Sequence, residues 1–248
     1  TIVGGTQTET ILNDDGAVVN LDPTTLSQAE GAGNQVRTVT LSNPVDVNVT
    51  VNFATSDNTA RTDTDTDYVP VNSTVTFLAG TTTSQTVPVT INNDFKVETD
   101  EIFDITLSSL MASGRNVALG AATGSGTIAN DDSATLTLSG GGSANELNSS
   151  TSGKTFTATL SAAVQGGFSV AYTTGGGTAT AGSDYVDNDG TLTFTGTASE
   201  MKTWTVDVNG DVTVELNETF EAALGAISGT TPEQAADIGV SGSPQTWQ

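Results

Sequence analysis

Residues 67–109 read DYVPVNSTVTFLAGTTTSQTVPVTINNDFKVETDEIFDITLSS, and this stretch decides the fold. Apolar and polar residues alternate along it, as in Val87, Val89 and Ile91, and a period of two is typical of strands with one buried face. Glycine, asparagine and aspartate separate the alternating segments, and no apolar pattern of helical period is present. The stretch therefore predicts several short β-strands joined by turns.

The same pattern occurs twice in the chain. Asp67-Tyr68 recurs as Asp184-Tyr185, 117 positions later, and the TVTF ending at Phe77 recurs as TLTF ending at Phe194. A fixed period of this length marks repeated domains. We therefore predict two domains, residues 16–132 and 133–248, preceded by an additional strand over residues 1–15.

The number and spacing of strands indicate the fold class. Each repeat holds six or seven short alternating segments, and their richness in Thr and Val suits a pleated surface. We predict an all-β chain of two tandem immunoglobulin-like antiparallel β-sandwiches. Trp204 lies on the same strand face as Val206 and Val208 in TWTVDV, so we expect it in the core and not on a binding surface.

Composition restricts the chemistry. The 248 residues contain 6 Lys+Arg, 29 Asp+Glu, no His and no Cys, for a net charge of −23. This charge repels nucleic acids and anionic lipids, and the missing His and Cys remove most hydrolytic triads and zinc sites. We predict no nucleic-acid partner, no membrane insertion and no enzyme. Carboxylates suit Ca²⁺, although an acidic surface that only confers solubility is the alternative left open by composition.

Two stretches resemble a known family. Residues 67–109, closed by GSGTIANDD at 124–132, resemble the Calx-beta domain, and residues 182–196 with 208–224 resemble a more diverged copy. The resemblance implies a seven-stranded sandwich that binds several Ca²⁺ ions at one end. Asn93 and Asn130 stand where the family often has Asp, which implies fewer ions or weaker binding. The implied ligands are Glu30, Asp67, Asp94, Glu98, Glu101, Asp131 and Asp132 in the first repeat, and Glu146, Asp184, Asp211, Glu215 and Glu218 in the second.

Simple electrostatics supports the same interpretation. Strand ends and loops at one end of a sandwich would bring several carboxylates together, and like charges at short distance raise one another's pKa unless a cation lies among them. A solvated acidic loop is the alternative for the D-x₃-E-x₂-E pattern.

The first 15 residues, TIVGGTQTETILNDD, match residues 118–132 by the same period. The period places the equivalents of Asp131 and Asp132 at 248 and 249, where the second repeat offers only Gln248. We therefore predict that residues 1–15 of one subunit insert into, or alongside, the closing-strand position of the second domain in a neighbour. Asp14 and Asp15 would complete that metal site, and the copies would form a head-to-tail filament.

The sequence predicts a secreted or cell-surface structural protein, in which Ca²⁺ stiffens the junction between the domains and the chain extends as an adhesive or biofilm-matrix fibre. One alternative is that the chain is a fragment of a large repeat adhesin, in which residues 1–15 belong to a preceding repeat. Another is a module that binds a glycan or a cell-surface receptor through loops such as TTGGGTATAG at residues 173–182.

Overall fold

The computed structural model describes residues 4–81 and 84–248. The chain packs as two units: unit 1 contains the residues up to Asn92 together with Glu101–Ala129, and unit 2 contains Asn93–Asp100 together with Asn130–Gln248. Both units are built from paired β-sheets, so the predicted all-β class with two sandwiches is confirmed. Residues 1–3, where the predicted N-terminal strand begins, lie outside the described residues. Within the described part, no helix is long and apolar enough to cross a membrane.

Unit 1 consists of two facing sheets. Its strands are β1 Ala17–Asp22, β2 Thr25–Ala29, β3 Gln35–Leu41, β4 Val49–Asp57, β5 Asn72–Phe77, β6 Gln85–Val89, β8 Glu101–Met111, β9 Val117–Leu119 and β10 Thr123–Ala129, and a 3₁₀ turn covers Glu30–Ala32. The sheets have the orders β6-β3-β1-β9 and β2-β10-β8-β4-β5. Neighbouring strands are antiparallel, as predicted, except that β9 runs parallel to β1 and β2 runs parallel to β10.

Unit 2 repeats this plan. Its strands are β7 Lys96–Val97, β11 Ala134–Ser139, β12 Ser152–Leu160, β13 Ala163–Val164, β14 Phe168–Gly175, β15 Gly190–Phe194, β16 Met201–Val208, β17 Phe220–Ser228, β18 Ile238–Ser241 and β19 Gln245–Trp247, with helix α1 at Pro232–Ala236. The sheet orders are β16-β12-β11-β18 and β15-β14-β17-β19, and β7 pairs separately with β13.

The cores follow the alternation of the sequence. In unit 1, Val49, Val51 and Phe53 are fully buried on one face of β4. In unit 2, Trp204 is buried, as predicted, and its ring stacks on Phe156 and Tyr172 at centroid distances of 5.4 and 4.6 Å. Burying apolar surface contributes about 25 cal/mol per Å², so these inward faces supply the main stabilisation of each sandwich.

A buried arginine interrupts the apolar alternation in unit 1. Arg37 on β3 is fully buried, and its guanidinium donates to Ser125 O at 2.8 Å, Gln35 Oε1 at 3.0 Å and Pro23 O at 3.2 Å. Burial lowers the pKa of Arg37 from its ordinary value. The side chain therefore ties β3 to the opposite sheet by hydrogen bonds to backbone carbonyls, a role that the sequence pattern does not reveal.

The closing strands of unit 2 are shifted relative to the repeat period. Phe103 faces Gly126 in unit 1, whereas its equivalent 117 positions later, Phe220, faces Trp247, which lies 121 positions after Gly126. The four additional residues lie in the connection that carries α1, between β17 and β18. The predicted placement of the Asp131 and Asp132 equivalents at 248 and 249 is therefore wrong by four positions.

Two segments depart from the domain limits suggested by the period. Residues 4–15 form no strand and are exposed, and β19 lies beside Phe220–Ala222 at the edge where the N-terminal strand was expected to add. Asn93–Asp100, which belongs to the first repeat by sequence, packs as part of unit 2. The predicted domain limits remain a prediction, and the acidic loop of the first repeat packs within unit 2.

Glu200 fixes the turn between β15 and β16. Its carboxylate accepts hydrogen bonds from Thr195 N at 2.8 Å, Thr195 Oγ1 at 3.0 Å and Gly196 N at 3.1 Å, and pairs with Lys202 Nζ at 2.9 Å. Burial opposes its ionisation, but the interactions with Lys202, Thr195 and Gly196 outweigh burial and lower the pKa of Glu200 to about 2.

This arrangement predicts an acid-sensitive contribution to stability. Because the folded-state pKa is depressed, the stabilisation is present above the ordinary value of 4.5 and is lost as the pH falls towards about 2. Glu200→Gln is expected to lower the free energy of unfolding of unit 2 by about 1–2 kcal/mol at neutral pH and to flatten its acid dependence. Urea unfolding at neutral and acidic pH measures both effects. Asp207→Asn, on the exposed face of β16, is the control, and an unchanged acid dependence in Glu200→Gln would contradict the assignment.

Candidate metal centre

An Asp-Tyr pair builds the acidic end of unit 2. Tyr185 is buried and its ring stacks on Phe220 at 4.9 Å, which fixes the preceding residue at the surface. The backbone N–H of Thr180 donates to Asp184 Oδ2 at 2.5 Å, and Asn209 N donates to Asp184 O at 2.8 Å. The Asp184 carboxylate is therefore held in place by the core on one side and by a turn on the other.

Unit 1 contains the same construction. Tyr68 is buried and stacks on Phe103 at 4.7 Å, Arg61 N donates to Asp67 Oδ2 at 2.5 Å, and Asn92 N donates to Asp67 O at 2.9 Å. Both aspartates are positioned by the same three contacts. The sequence repeat is therefore also a repeat of local geometry.

Three carboxylates converge in unit 2. Asp184, Glu215 and Glu218 each place an oxygen within 4.8 Å of the others. The hydrogen bond with Asp184, followed by burial and by the charges of Asp184 and Glu215, raises the pKa of Glu218. Burial, followed by neighbouring carboxylates, raises the pKa of Glu215, whereas the hydrogen bond from the Thr180 backbone lowers the pKa of Asp184. Hydrogen bonding, burial and repulsion between neighbouring carboxylates therefore disfavour the ionised forms of the two glutamates.

The remaining predicted ligands of the second repeat lie beside this group. Asp211 N donates to Glu146 Oε1 at 2.9 Å, and Thr213 N donates to Asp211 Oδ1 at 2.6 Å. The charges of Asp211 and Glu146 contribute to the raised pKa of Glu215. The five predicted residues thus belong to one acidic end, bordering a cavity of 810 Å³ whose lining includes Glu146, Asp184, Glu215 and Glu218.

A second acidic group in unit 2 surrounds the start of β11. Burial, then the charges of Asp131 and Asp94, raise the pKa of Asp132, and Asp132 Oδ2 is buried without a hydrogen-bond partner among the described residues. Asn130 Oδ1 accepts from Glu98 N at 3.1 Å. Glu98 is buried, pairs with Lys96 and accepts from Gln165 Nε2 at 3.3 Å.

The other predicted ligands lie in unit 1. Glu30 is buried in the 3₁₀ turn, and Glu101, buried at the start of β8, places a carboxylate oxygen within 4.8 Å of one on Asp67. Asp14 and Asp15 are exposed, and Asn116 Nδ2 donates to the backbone oxygen of Asp15 at 3.3 Å. Among the described residues, neither Asp14 nor Asp15 joins a group of three carboxylates.

The donor set is compatible with Ca²⁺. Ca²⁺ takes six to eight oxygen ligands at about 2.3–2.6 Å, and it tolerates irregular geometry. Convergent carboxylates and the unpartnered oxygen of Asp132 supply oxygens of this kind, while the sequence has no His or Cys for zinc. Crowded carboxylates become favourable when a divalent ion neutralises them.

Two residues at the unit 2 end were not predicted from the sequence. Lys154 and Trp247 line the 810 Å³ cavity, and the Lys154 ammonium lies 5.1 Å from the centroid of the Trp247 ring. Lys154 lies two residues before the buried Phe156 on β12, so the period of two predicts that both side chains lie on the inward face. It brings a positive charge to an otherwise acidic cavity lining.

A comparison with family models identifies the family. The model of the family described as Calx-beta domain matches residues 13–133 and 148–243. Similar solved structures include the apo-form Calx CBD1 domain (24% identity, 48% of this chain and 100% of that chain, TM-score 0.43) and CBD12 from CALX1.2 (19% identity, 93% and 99%, TM-score 0.45). A two-domain protein from Bacteroides fragilis is also similar (11% identity, 79% and 88%, TM-score 0.36). No curated protein matches the sequence.

Proposed function

This chain belongs to the Calx-beta domain family, and from that premise we propose that it is a non-catalytic, calcium-binding structural protein. In unit 2 the ion would be held by Asp184, Glu215 and Glu218, with Glu146 and Asp211 beside them. Bound Ca²⁺ would neutralise this end and join the loops that carry the ligands.

The observation that carries the proposal is the convergence of Asp184, Glu215 and Glu218. Their oxygens lie within 4.8 Å of one another, and the pKa of both glutamates is raised. Carboxylates held at this distance repel one another, and a divalent ion among them would remove that repulsion. The anchored turn at Asp184 supports the same view, since it fixes one ligand before any ion binds.

The segment from Asn130 to Ser133 connects β10 to β11 and includes Asp131 and Asp132. An ion bound by these two carboxylates would restrict this short connection. We propose that calcium thereby stiffens the chain, as a load-bearing or spacing element requires. This role needs no catalytic group.

We further propose that the protein acts outside the cell or at its surface, in an adhesive or matrix fibre. Its neighbours in that fibre would be copies of itself or further repeats. The acidic composition and the absence of cysteine are compatible with this location. Donation of the N-terminal segment to a neighbouring sandwich would join such copies. Glycan or receptor binding is the alternative function.

Calcium titration by calorimetry tests the proposal. Wild-type protein is expected to release or absorb heat on binding Ca²⁺, and the double variant Asp184→Asn, Glu218→Gln is expected to bind at the unit 2 site about tenfold more weakly or worse, because two anionic ligands are lost. Asp207→Asn removes one charge from an exposed strand face and should leave binding unchanged. An absence of binding by the wild type, or equal affinity of the double variant at every site, would contradict the proposal.

A further inference from the structure

The loop Asp211–Glu218 of unit 2, DVTVELNE, exposes its apolar residues. Val214 is 98% exposed, and Val212 and Leu216 on either side of it are also exposed. Three large apolar side chains within eight residues form an unfavourable surface in water, and such patches commonly mark interaction sites.

The equivalent loop of the first repeat shows how this sequence is used. Residues 94–101, DFKVETDE, precede DVTVELNE by 117 positions, so Val97 is the counterpart of Val214. Val97 is 0% exposed and belongs to the core of unit 2. Lys96 and Val97 form a parallel two-residue strand with Ala163 and Val164.

Side chains and backbone complete this attachment. Gln165 N donates to Val97 O at 2.9 Å, and Gln165 Nε2 donates to Glu98 Oε1 at 3.3 Å. An acidic loop with a central valine therefore attaches to the segment Ala163–Gln165 by strand pairing, by burial of the valine and by a contact to its glutamate. The central valine and the glutamate after it recur in Asp211–Glu218 as Val214 and Glu215.

Unit 1 has a counterpart of the receiving segment. Val49 pairs with Phe77 as Phe168 pairs with Phe194, and Leu41 pairs with Val19 as Leu160 pairs with Leu136. Both flanking strands of the segment are therefore displaced by 119 positions between the repeats. The residues equivalent to Ala163, Val164 and Gln165 are Pro44, Val45 and Asp46.

This end of unit 1 is open and includes one arginine among its aspartates. A cavity of 610 Å³ is lined by residues that include Asn13, Asp15, Val45, Asp46 and Arg115. The Arg115 guanidinium pairs with Asp46 at 2.8 Å, and its side chain is 43% exposed. Arg115 could therefore face the glutamates of an incoming Asp211–Glu218 loop while it retains Asp46.

The acids at this end also repeat. Asn13-Asp14-Asp15 precede β1 just as Asn130-Asp131-Asp132 precede β11, 117 positions later. By the same period, Asp94 is the counterpart of Asp211, and Asp132 is the counterpart of Asp15. Docking of Asp211–Glu218 on this end would bring Asp211 towards Asp15, and the two acidic surfaces would repel each other without a cation.

We propose that the loop Asp211–Glu218 docks on the Pro44–Asp46 end of unit 1 in a second copy of this chain. Val214 adds a short parallel strand there, as Val97 does on Ala163–Val164, and Ca²⁺ is shared between the acids of the loop and Asp14 and Asp15. The contact uses two different surfaces of the molecule, so it propagates head to tail without closing. The inference rests on the proposed calcium binding for its ion dependence, but it assigns the partner surface independently.

Sedimentation velocity of the full chain tests the joint. Wild type is expected to associate in a concentration-dependent manner in millimolar Ca²⁺ and to dissociate in EDTA. Val214→Asp is expected to weaken association about tenfold or more while it retains Ca²⁺ binding by calorimetry, because a charge replaces the side chain that would be buried. Since Val214 is almost fully exposed in the single chain, its replacement leaves the fold intact, which circular dichroism checks.

Two exposed apolar residues serve as matched controls. Met201→Asp, at the end of β16 that is remote from the loop Asp211–Glu218, lies outside both surfaces and should associate like wild type. Ile11→Asp lies in the N-terminal segment but not in the proposed joint, so it should also associate like wild type; loss of association in Ile11→Asp with none in Val214→Asp would support strand donation and overturn the joint.

Calcium binding and association can fail separately. Ca²⁺ binding by a protein that stays monomeric at high concentration would overturn the joint and leave the proposed function standing. Association that is lost in Val214→Asp but occurs without any Ca²⁺ binding would support the docking surface and overturn the proposed function.

Discussion

Trp204→Ala is expected to lower the free energy of unfolding of unit 2 by about 3–5 kcal/mol, the range for truncating a large buried aromatic residue to alanine. The indole is 5% exposed and stacks on both Phe156 and Tyr172, so its removal leaves a cavity that two other rings border. Urea unfolding measures the change, and it is monitored by circular dichroism of the backbone so that the signal does not depend on tryptophan. The loss should appear in the transition of unit 2 and be the same in EDTA and in Ca²⁺.

Trp204→Phe is the matched control. It retains a ring for stacking on Phe156 and Tyr172, and it removes the indole N–H, which is buried and has no hydrogen-bond partner among the described residues. The expected cost is about 1 kcal/mol, because a smaller cavity is offset by the loss of an unsatisfied donor. Similar losses for the alanine and phenylalanine variants would show that packing of the ring is not what stabilises the core.

The long strands could be predicted because burial imposes a period of two on them. QVRTVTL at 35–41 coincides with β3, and the segments TVTF and TLTF end, as expected, at the buried Phe77 and Phe194. The two-residue strands β7 and β13 could not be predicted, because two residues are too few to show a period. Their pairing depends on which surfaces meet in the folded chain, which local sequence does not encode.

The acidic residues at the end of unit 2 were predictable from the sequence, but the position of the closing strand was not. The spacing of Asp211, Glu215 and Glu218 marks them in the sequence, and the structure brings Asp184 to two of them. The position of the closing strand was not predictable from the period, because the connection with α1 adds four residues. An insertion in a surface connection changes the register of everything after it without altering the strands themselves.

Buried polar residues mark a further limit of sequence reasoning. Arg37 and Lys154 occupy inward positions on β3 and β12, where alternation predicts apolar side chains. Arg37 is accommodated because carbonyl oxygens of the opposite sheet accept its hydrogen bonds, and Lys154 because it lies beside Trp247 and donates to Ser152 Oγ at 2.8 Å. Ser125 and Trp247 are distant in sequence from Arg37 and Lys154, so a local pattern cannot identify them as partners.

Calcium is expected to stabilise the protein by an amount that mass action sets. With free Ca²⁺ at a hundredfold excess over Kd, the free energy of unfolding should rise by about 2.7 kcal/mol per site that is lost on unfolding. For a sandwich of this size the gain corresponds to an increase in melting temperature of about 10 °C. Differential scanning calorimetry in EDTA and in Ca²⁺ measures it.

The double variant Asp184→Asn, Glu218→Gln separates ion binding from general screening of charge. Removing two charges from the converging group should raise the melting temperature of unit 2 in EDTA, because the carboxylates that lie within 4.8 Å of one another no longer repel. The same change should remove most of the gain from Ca²⁺ in that unit, because the anionic ligands are lost. The order of stability should therefore reverse: the variant is more stable without calcium and the wild type is more stable with it.

Asp207→Asn is the control and should follow the wild type in both conditions. Equal melting of the wild type in EDTA and in millimolar Ca²⁺ would leave only the solvated acidic surface as an explanation of these carboxylates.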